Sequence, residues 1–328
     1  EGGALLRRPL HPGFALSFPG RLTVAREVAI LFFFSEGKMP SAGGNHRLLG
    51  KESPLRIIDP HVHVWKNDPA FPWPAENQNP PSEDRTPEML LEHMAANGVE
   101  KTVLVQVIHY RWDNSYVAHV IQQYPDKFMG VGRVNPEDPA APDHLSMWTE
   151  EKGLHGVRLS PAGNGADDWF TGPLMVPLFA RAQELGVPML ILTGPKRLPD
   201  LARLLEKFPD LDTVIDHMAD VHPEDAEGRS RLVEMARFPR VYVKISHTWS
   251  ISQQDYPWTD THSLAEEVYQ AFGAQRVMWG TDWPVCLTNA EYPQTLQVVR
   301  DQMKFIAPED LEWVLGKTVL KLWSFGEK

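Results

Sequence analysis

The run Ile57-Ile58-Asp59-Pro60-His61-Val62-His63 decides how the rest of the chain is read. Two β-branched apolar residues lead into a His-x-His pair, as in a buried strand that ends at a polar edge. Side chains two apart on a strand point the same way, so His61 and His63 share a face, with Asp59 in line beneath them. Two imidazoles side by side at a strand end form half of a divalent-metal site, or a proton-handling and hydrogen-bonding pair. Two later apolar runs also end in chemistry-bearing residues: Val214-Ile215-Asp216-His217 and Val277-Met278-Trp279-Gly280-Thr281-Asp282.

Around these runs the chain alternates. Further strands are expected at 102–108, 128–134, 155–159, 188–192, 213–216, 241–245 and 277–280, each followed by a helical pattern. The first helix is the plainest: Thr86 caps it, Pro87 sits in its first turn, and Asn97-Gly98 ends it. Ahead of it lies a long loop, 65–85, carrying Phe71-Pro72-Trp73-Pro74; such loops are usually functional lids or disordered. The strands are near-continuous apolar runs, as expected when helices cover one face and a packed interior the other. Eight βα units over roughly 250 residues match a (β/α)8 TIM barrel, an α/β fold of one domain. An open doubly wound sheet is the alternative, because strand count alone does not show closure. No Gly-x-Gly-x-x-Gly and no Walker loop occurs, so a nucleotide role has no support.

Composition bounds the function. At 42% hydrophobic and 23% charged the chain is an ordinary globular one, and a formal charge of -11 argues against a nucleic-acid partner. The single cysteine, Cys286, excludes an internal disulfide framework and suits a cytoplasmic location; it is read as a buried, inert thiol. Residues 1–50 are Pro- and Gly-punctuated, without a sustained period, and are expected to form a poorly ordered extension ahead of a 51–328 barrel. The native start is expected at Met39. The apolar run Val28 to Phe34 is too short to span a bilayer, so no membrane insertion is expected. A small-molecule substrate is the expected partner, and the sequence leaves a homo-oligomer open.

In a barrel the C-terminal strand ends form one mouth, where active sites of this fold lie. That mouth gathers His61 and His63 from strand one, Arg158 from strand four and Thr193 from just past strand five. His217 comes from strand six, Lys244 from strand seven and Asp282 from past strand eight. Trp73, in the loop after strand one, is a candidate pocket wall. Arg158 offers a planar fork for a substrate carboxylate or hydroxyl, with pairing to a structural carboxylate as the other reading. His109 and His247, just past strands two and seven, are read as loop or surface residues.

Ile58-Asp59-Pro60-His61-Val62-His63-Val64-Trp65 with Phe71-Pro72-Trp73 resembles the opening of the amidohydrolase-related proteins. Val214 to His217, Val241-Tyr242-Val243-Lys244-Ile245-Ser246 and Trp279-Gly280-Thr281-Asp282-Trp283-Pro284 resemble that family's sixth, seventh and eighth strand motifs. The likeness covers about 55–325 and is nearest to the lactonase branch, that of L-fuconolactone hydrolase and 2-pyrone-4,6-dicarboxylate lactonase. The resemblance implies a barrel hydrolase of lactones, with Asp282 as the base that activates water. It implies that His61, His63 and His217 either hold one divalent metal, zinc or manganese, together with Asp282, or bind the carbonyl oxygen directly. Metal-dependent relatives carry a further histidine after strand five, where this chain has Leu192-Thr193-Gly194-Pro195, so metal-free catalysis stands beside the metal reading. A metal-dependent decarboxylase and a non-catalytic small-molecule-binding barrel are the alternatives.

Overall fold

A computed structural model describes residues 55–160 and 170–326; the expected N-terminal extension lies outside the described residues. Eight strands form one parallel sheet in chain order: β1 Ile57–Val62, β2 Val99–Val105, β3 Phe128–Arg133, β4 Val157–Leu159, β5 Met189–Ile191, β6 Thr213–Ile215, β7 Val241–Ile245 and β8 Val277–Trp279. The sheet closes on itself at one end. His63 N–H donates to Trp283 O at 2.7 Å and Asp282 N–H donates to His61 O at 2.9 Å, so the segment after β8 pairs with the end of β1. That closure sets aside the open-sheet alternative.

Helices follow the strands, the last two after β8: α1 Pro87–Asn97, α2 Ser115–Gln123, α3 Ala141–Ser146, α4 Met175–Leu185, α5 Leu198–Leu205, α6 Ala226–Glu234, α7 Thr248–Ile251, α8 His262–Phe272, α9 Tyr292–Gln297 and α10 Thr318–Leu322. The signals around α1 act as expected. Thr86 Oγ1 accepts from Met89 N–H at the start, and Gly98 takes φ 69° at the end, a conformation that costs a glycine little. Gly98 turns the chain so tightly that β2 begins at Val99 rather than at the expected Thr102.

Strand alternation sorts the buried residues into two layers. Ile58, Val103, Val105, Val131, Leu190, Val214 and Met278 fill the barrel, while Leu104, Leu159, Ile191, Ile215 and Val243 belong to the layer shared with the helices. The barrel interior also takes in Val319 and Trp323, from α10 and the residue after it, and Phe325. Trp323 Nε1–H donates to His155 O, just before β4, at 3.1 Å. The C-terminal helix therefore stops the N-terminal end of the barrel, and the polar residues of the interior collect at the other end.

The long loop after β1 is tied at its base. Trp65 and Arg85 exchange backbone hydrogen bonds at 2.8 and 2.9 Å, and Trp65 Nε1–H donates to Glu83 O. Among the described residues no helix is long and apolar enough to cross a membrane.

Candidate active site

Interior-facing positions at the strand ends carry the site. Lys244 follows Tyr242 on the inner face of β7, and Asp216 follows Val214 past β6. Beyond the strands the backbone turns left-handed at His217 (φ 55°), His247 (φ 60°) and Asp282 (φ 56°). Each such non-glycine residue costs roughly 1 kcal/mol or more, and strain of this kind gathers at functional sites. At β8 the close approach needs a glycine: a Cβ on Gly280 would sit 3.3 Å from the Cβ of His61.

Two polar layers result. The lower one centres on Asp216, which is fully buried. Its Oδ1 lies 3.0 Å from Lys244 Nζ and 3.4 Å from His61 Nδ1, and its Oδ2 accepts from Arg158 Nε at 2.8 Å. Burial alone would raise its proton affinity, but Lys244, His61 and Arg158 outweigh it and hold the carboxyl well below the usual range. Asp59 fastens β1 to the turn after β8. Its carboxylate accepts from Thr281 Oγ1 at 2.5 Å and from the amides of Thr281 and His61. Burial pushes Asp59 up to about 6 against those hydrogen bonds.

The upper layer centres on Asp282. Its Oδ2 accepts from His247 Nε2 at 2.5 Å, and His247 Nδ1 faces Asp220 Oδ1 at 3.2 Å. A ring between two carboxylates donates from both nitrogens. Burial opposes its charge, but Asp220 and Asp282 prevail and raise His247 to about 9. Asp282 is conversely held well below the usual carboxylate range: burial raises it, and His247 and His63 lower it further. The His247 ring stacks on His217, centroids 3.5 Å apart. His217 is held well below 6.5 by burial and by the adjacent His247, and its Nδ1 lies 2.8 Å from Ser246 Oγ.

His61 and His63 do share a face, but their second nitrogens have different partners. His63 Nδ1 lies 2.6 Å from Val105 O, a pure acceptor, so Nδ1 carries a proton and Nε2 points to Asp282 Oδ1 at 2.9 Å. His61 Nδ1 lies 2.8 Å from Lys244 Nζ, and burial with Lys244 lowers the ring to about 3. An ammonium only donates, so the proton of neutral His61 is on Nε2. That Nε2 is buried without a hydrogen-bond partner and lies 3.5 Å from Asp282 Oδ1, the oxygen that His63 Nε2 also faces.

His61, His217 and Asp282 each offer a donor atom within 4.8 Å of the others. A donor set of two imidazoles and a carboxylate fits one divalent ion such as zinc or manganese once the His61 proton moves from Nε2 to Nδ1, where Asp216 Oδ1 lies 3.4 Å away.

Of the other expected residues, Thr193 is buried just past β5, and Trp73 is half-buried, stacked on Tyr110 at 4.2 Å with its Nε1–H donating to Asn67 Oδ1. Arg158 pairs with the structural carboxylate of Asp216, the second of its two readings, while its NH2 lies 3.5 Å from His217 Nε2. Lys244 is buried beneath His61, its Nζ 2.8 Å from His61 Nδ1 and 3.0 Å from Asp216 Oδ1. His247 lies in the turn after β7, as expected of a loop residue, but the left-handed backbone there folds its ring back over His217 instead of out to the surface. Asp216, the last residue of the expected strand 213–216, faces inward because it is two residues past Val214. His109 stays beside Trp65 and Trp73, outside the cluster. Cys286 is buried, and burial pushes its thiol up, as expected of an inert one.

Comparison with known proteins agrees with this geometry. The amidohydrolase family profile matches residues 58–325. L-fucono-1,5-lactonase of Burkholderia ambifaria is 29% identical over 235 residues, covering 70% of this chain and 80% of that one. 4-Sulfomuconolactone hydrolase of Hydrogenophaga intermedia is 28% identical, covering 71% and 78%. Among solved structures, a Pseudomonas putida protein assigned as a 2-pyrone-4,6-dicarboxylic acid hydrolase superposes with a TM-score of 0.71 at 24% identity, covering 84% of this chain and 99% of that one. An amidohydrolase from Burkholderia multivorans, solved with bound zinc, gives 0.69 at 22%, covering 82% and 99%. With a profile running from the first strand to the last residues of the barrel, the chain belongs to the amidohydrolase family.

Proposed function

We propose that the protein hydrolyses a lactone, with Asp282 as general base. One observation carries the reading: the buried, unpartnered His61 Nε2 faces Asp282 Oδ1 across 3.5 Å at the barrel mouth, with His63 Nε2 2.9 Å from the same oxygen. One is a fixed acceptor and the other a fixed donor, the pair that a water attacking a carbonyl requires. Relatives that hydrolyse fuconolactone and sulfomuconolactone support the choice of a cyclic ester.

Asp282 Oδ1 takes a proton from water, whose oxygen attacks the ring carbonyl. The carbonyl oxygen gains negative charge and accepts from His61 Nε2–H, which Lys244 keeps in the donating tautomer. The tetrahedral adduct collapses by breaking the ring C–O bond, and the proton held on Asp282 passes to the departing ring oxygen. The products are a carboxylic acid and an alcohol or enol. Asp282 is a weak base because His247 lowers its proton affinity, so it contributes through position more than basicity. For the same reason the acid limb of kcat/KM belongs below the usual carboxylate range. His61, His217 and Asp282 are the residues that would hold a divalent ion, with His63 beside them, and a bound ion would polarise the carbonyl. Trp73 and Thr193 are proposed to border the substrate.

The test is a lactone panel followed with a pH indicator, with and without chelator. Release of one acid equivalent per lactone supports the reading. Carbon dioxide released from an aromatic acid, with no lactone opened, would favour the decarboxylase alternative.

A further inference from the structure

Arg133, the last residue of β3, is a buried cation with no counter-ion among the described residues. It is 1% exposed and lies on the inner face of the barrel, two residues past Val131. Asn114 clamps its backbone, accepting from Arg133 N–H at 2.8 Å and donating to Arg133 O at 2.9 Å. Its NH2 donates to Ser160 Oγ at 2.6 Å, and its guanidinium lies 4.9 Å from the centre of the Trp112 ring. Its Nε and NH1 have no hydrogen-bond partner. Neighbouring charges make the position worse: after burial, Arg158 and Arg111 lower its proton affinity, to about 9, which still leaves it charged at neutral pH.

Arg158 is the instructive neighbour. The two residues are paired in register across β3 and β4, yet Arg158 has Asp216 and Arg133 has no acid among the described residues. Removing a guanidinium from water without a partner is costly, and a planar guanidinium fork matches the two oxygens of a carboxylate. Arg158 NH2 lies 3.5 Å from His217 Nε2, so Arg133 stands one strand further round the mouth from the reacting groups.

We infer that Arg133 is the binding site for a carboxylate carried by the substrate, so that the enzyme acts on an anionic lactone rather than a neutral sugar lactone. This rests on the lactonase reading for the word lactone; the anion site stands on its own geometry. The ring carbonyl would lie between Asp282 and His61, and the appended carboxylate on the β3–β4 side, replacing the missing counter-ion.

The experiment has two arms on the full chain, in wild type, Arg133→Met and Arg133→Lys. In the first arm the melting temperature is read with citrate against sodium chloride at equal ionic strength. Citrate should raise the wild-type value and leave Arg133→Met unmoved, and without anion Arg133→Met should melt no lower than wild type. In the second arm kcat/KM is compared for two lactones that differ only in a ring carboxylate. Arg133→Met should lose roughly 30-fold or more on the carboxylated one and change little on the neutral one. Arg133→Lys keeps the charge without the fork and should fall between; it also serves if Arg133→Met does not fold. If wild type opens neither lactone but binds citrate through Arg133, the lactonase reading fails and the anion site survives. A citrate shift that persists in Arg133→Met, or no shift in wild type, overturns the inference. So does a lower melting temperature in Arg133→Met with lactone preference intact, which would make Arg133 structural.

Discussion

The two ends of the barrel are filled in opposite ways. At the floor, Val319, Trp323 and Phe325 pack against Ile58, Val103 and Tyr242 as apolar bulk, and the one polar atom of Trp323 has a backbone acceptor. At the mouth, Asp216, Lys244, Arg158, His61, His217 and Asp282 form a buried polar network that leaves His61 Nε2 without a hydrogen-bond partner. The floor satisfies every group it buries in Trp323. The mouth satisfies most of its groups to orient the few it leaves open. The same strands thus carry stability at one end and chemistry at the other, as this fold generally does.

The largest expected effect tests the floor. Trp323→Ala should cost about 3–5 kcal/mol, since a fully buried aromatic is removed and a cavity remains. Chemical denaturation measures it. Activity per folded molecule should be unchanged, and loss of turnover in still-folded protein would mean that the two ends are coupled.

A smaller effect belongs to His247. Its proton affinity rises from 6.5 to about 9 on folding, so its stabilisation is complete below about pH 6.5 and is lost as pH rises through about 9. Wild type should lose on the order of 1–3 kcal/mol between pH 6 and 10 that His247→Gln does not lose. Parallel stability curves would mean that His247 is not charged in the fold. The same variant frees Asp282 of a cation, so the acid limb of kcat/KM should move upward in pH.

The smallest effect concerns metal. Lys244 donates to His61 Nδ1, whereas a metal-bound histidine ordinarily turns that nitrogen to an acceptor. Removing divalent ions with a chelator should therefore lower kcat less than tenfold. Abolished activity, restored by zinc or manganese, would show that the ion and not His61 Nε2–H carries the oxyanion.

The barrel was legible because its signals are local. Apolar runs, Thr86, Pro87 and Gly98 each act within a few residues, and eight repetitions leave few ways to arrange them. The floor was not, because Thr318–Leu322 is a short segment whose place in the interior depends on strands far away in sequence. At the site, His61, His63, His217 and Asp282 could be named from strand ends alone. His247 could not, because its position depends on a left-handed turn after β7 that composition does not announce. Asp216 and Arg133 were readable from period-two alternation, and their neighbours Val214 and Val131 would have marked the inner face.

The central claim is that Asp282 accepts the proton of the attacking water. The direct measurement is kcat/KM of Asp282→Asn on a lactone that wild type opens, with circular dichroism on the same sample to confirm the fold. The amide preserves size and can still accept from His247, but it does not take up water's proton at neutral pH. The expected result is native spectra with a loss of roughly 10²–10⁴-fold. Turnover near the wild-type rate in folded Asp282→Asn would contradict the account and move the base to another group at the mouth.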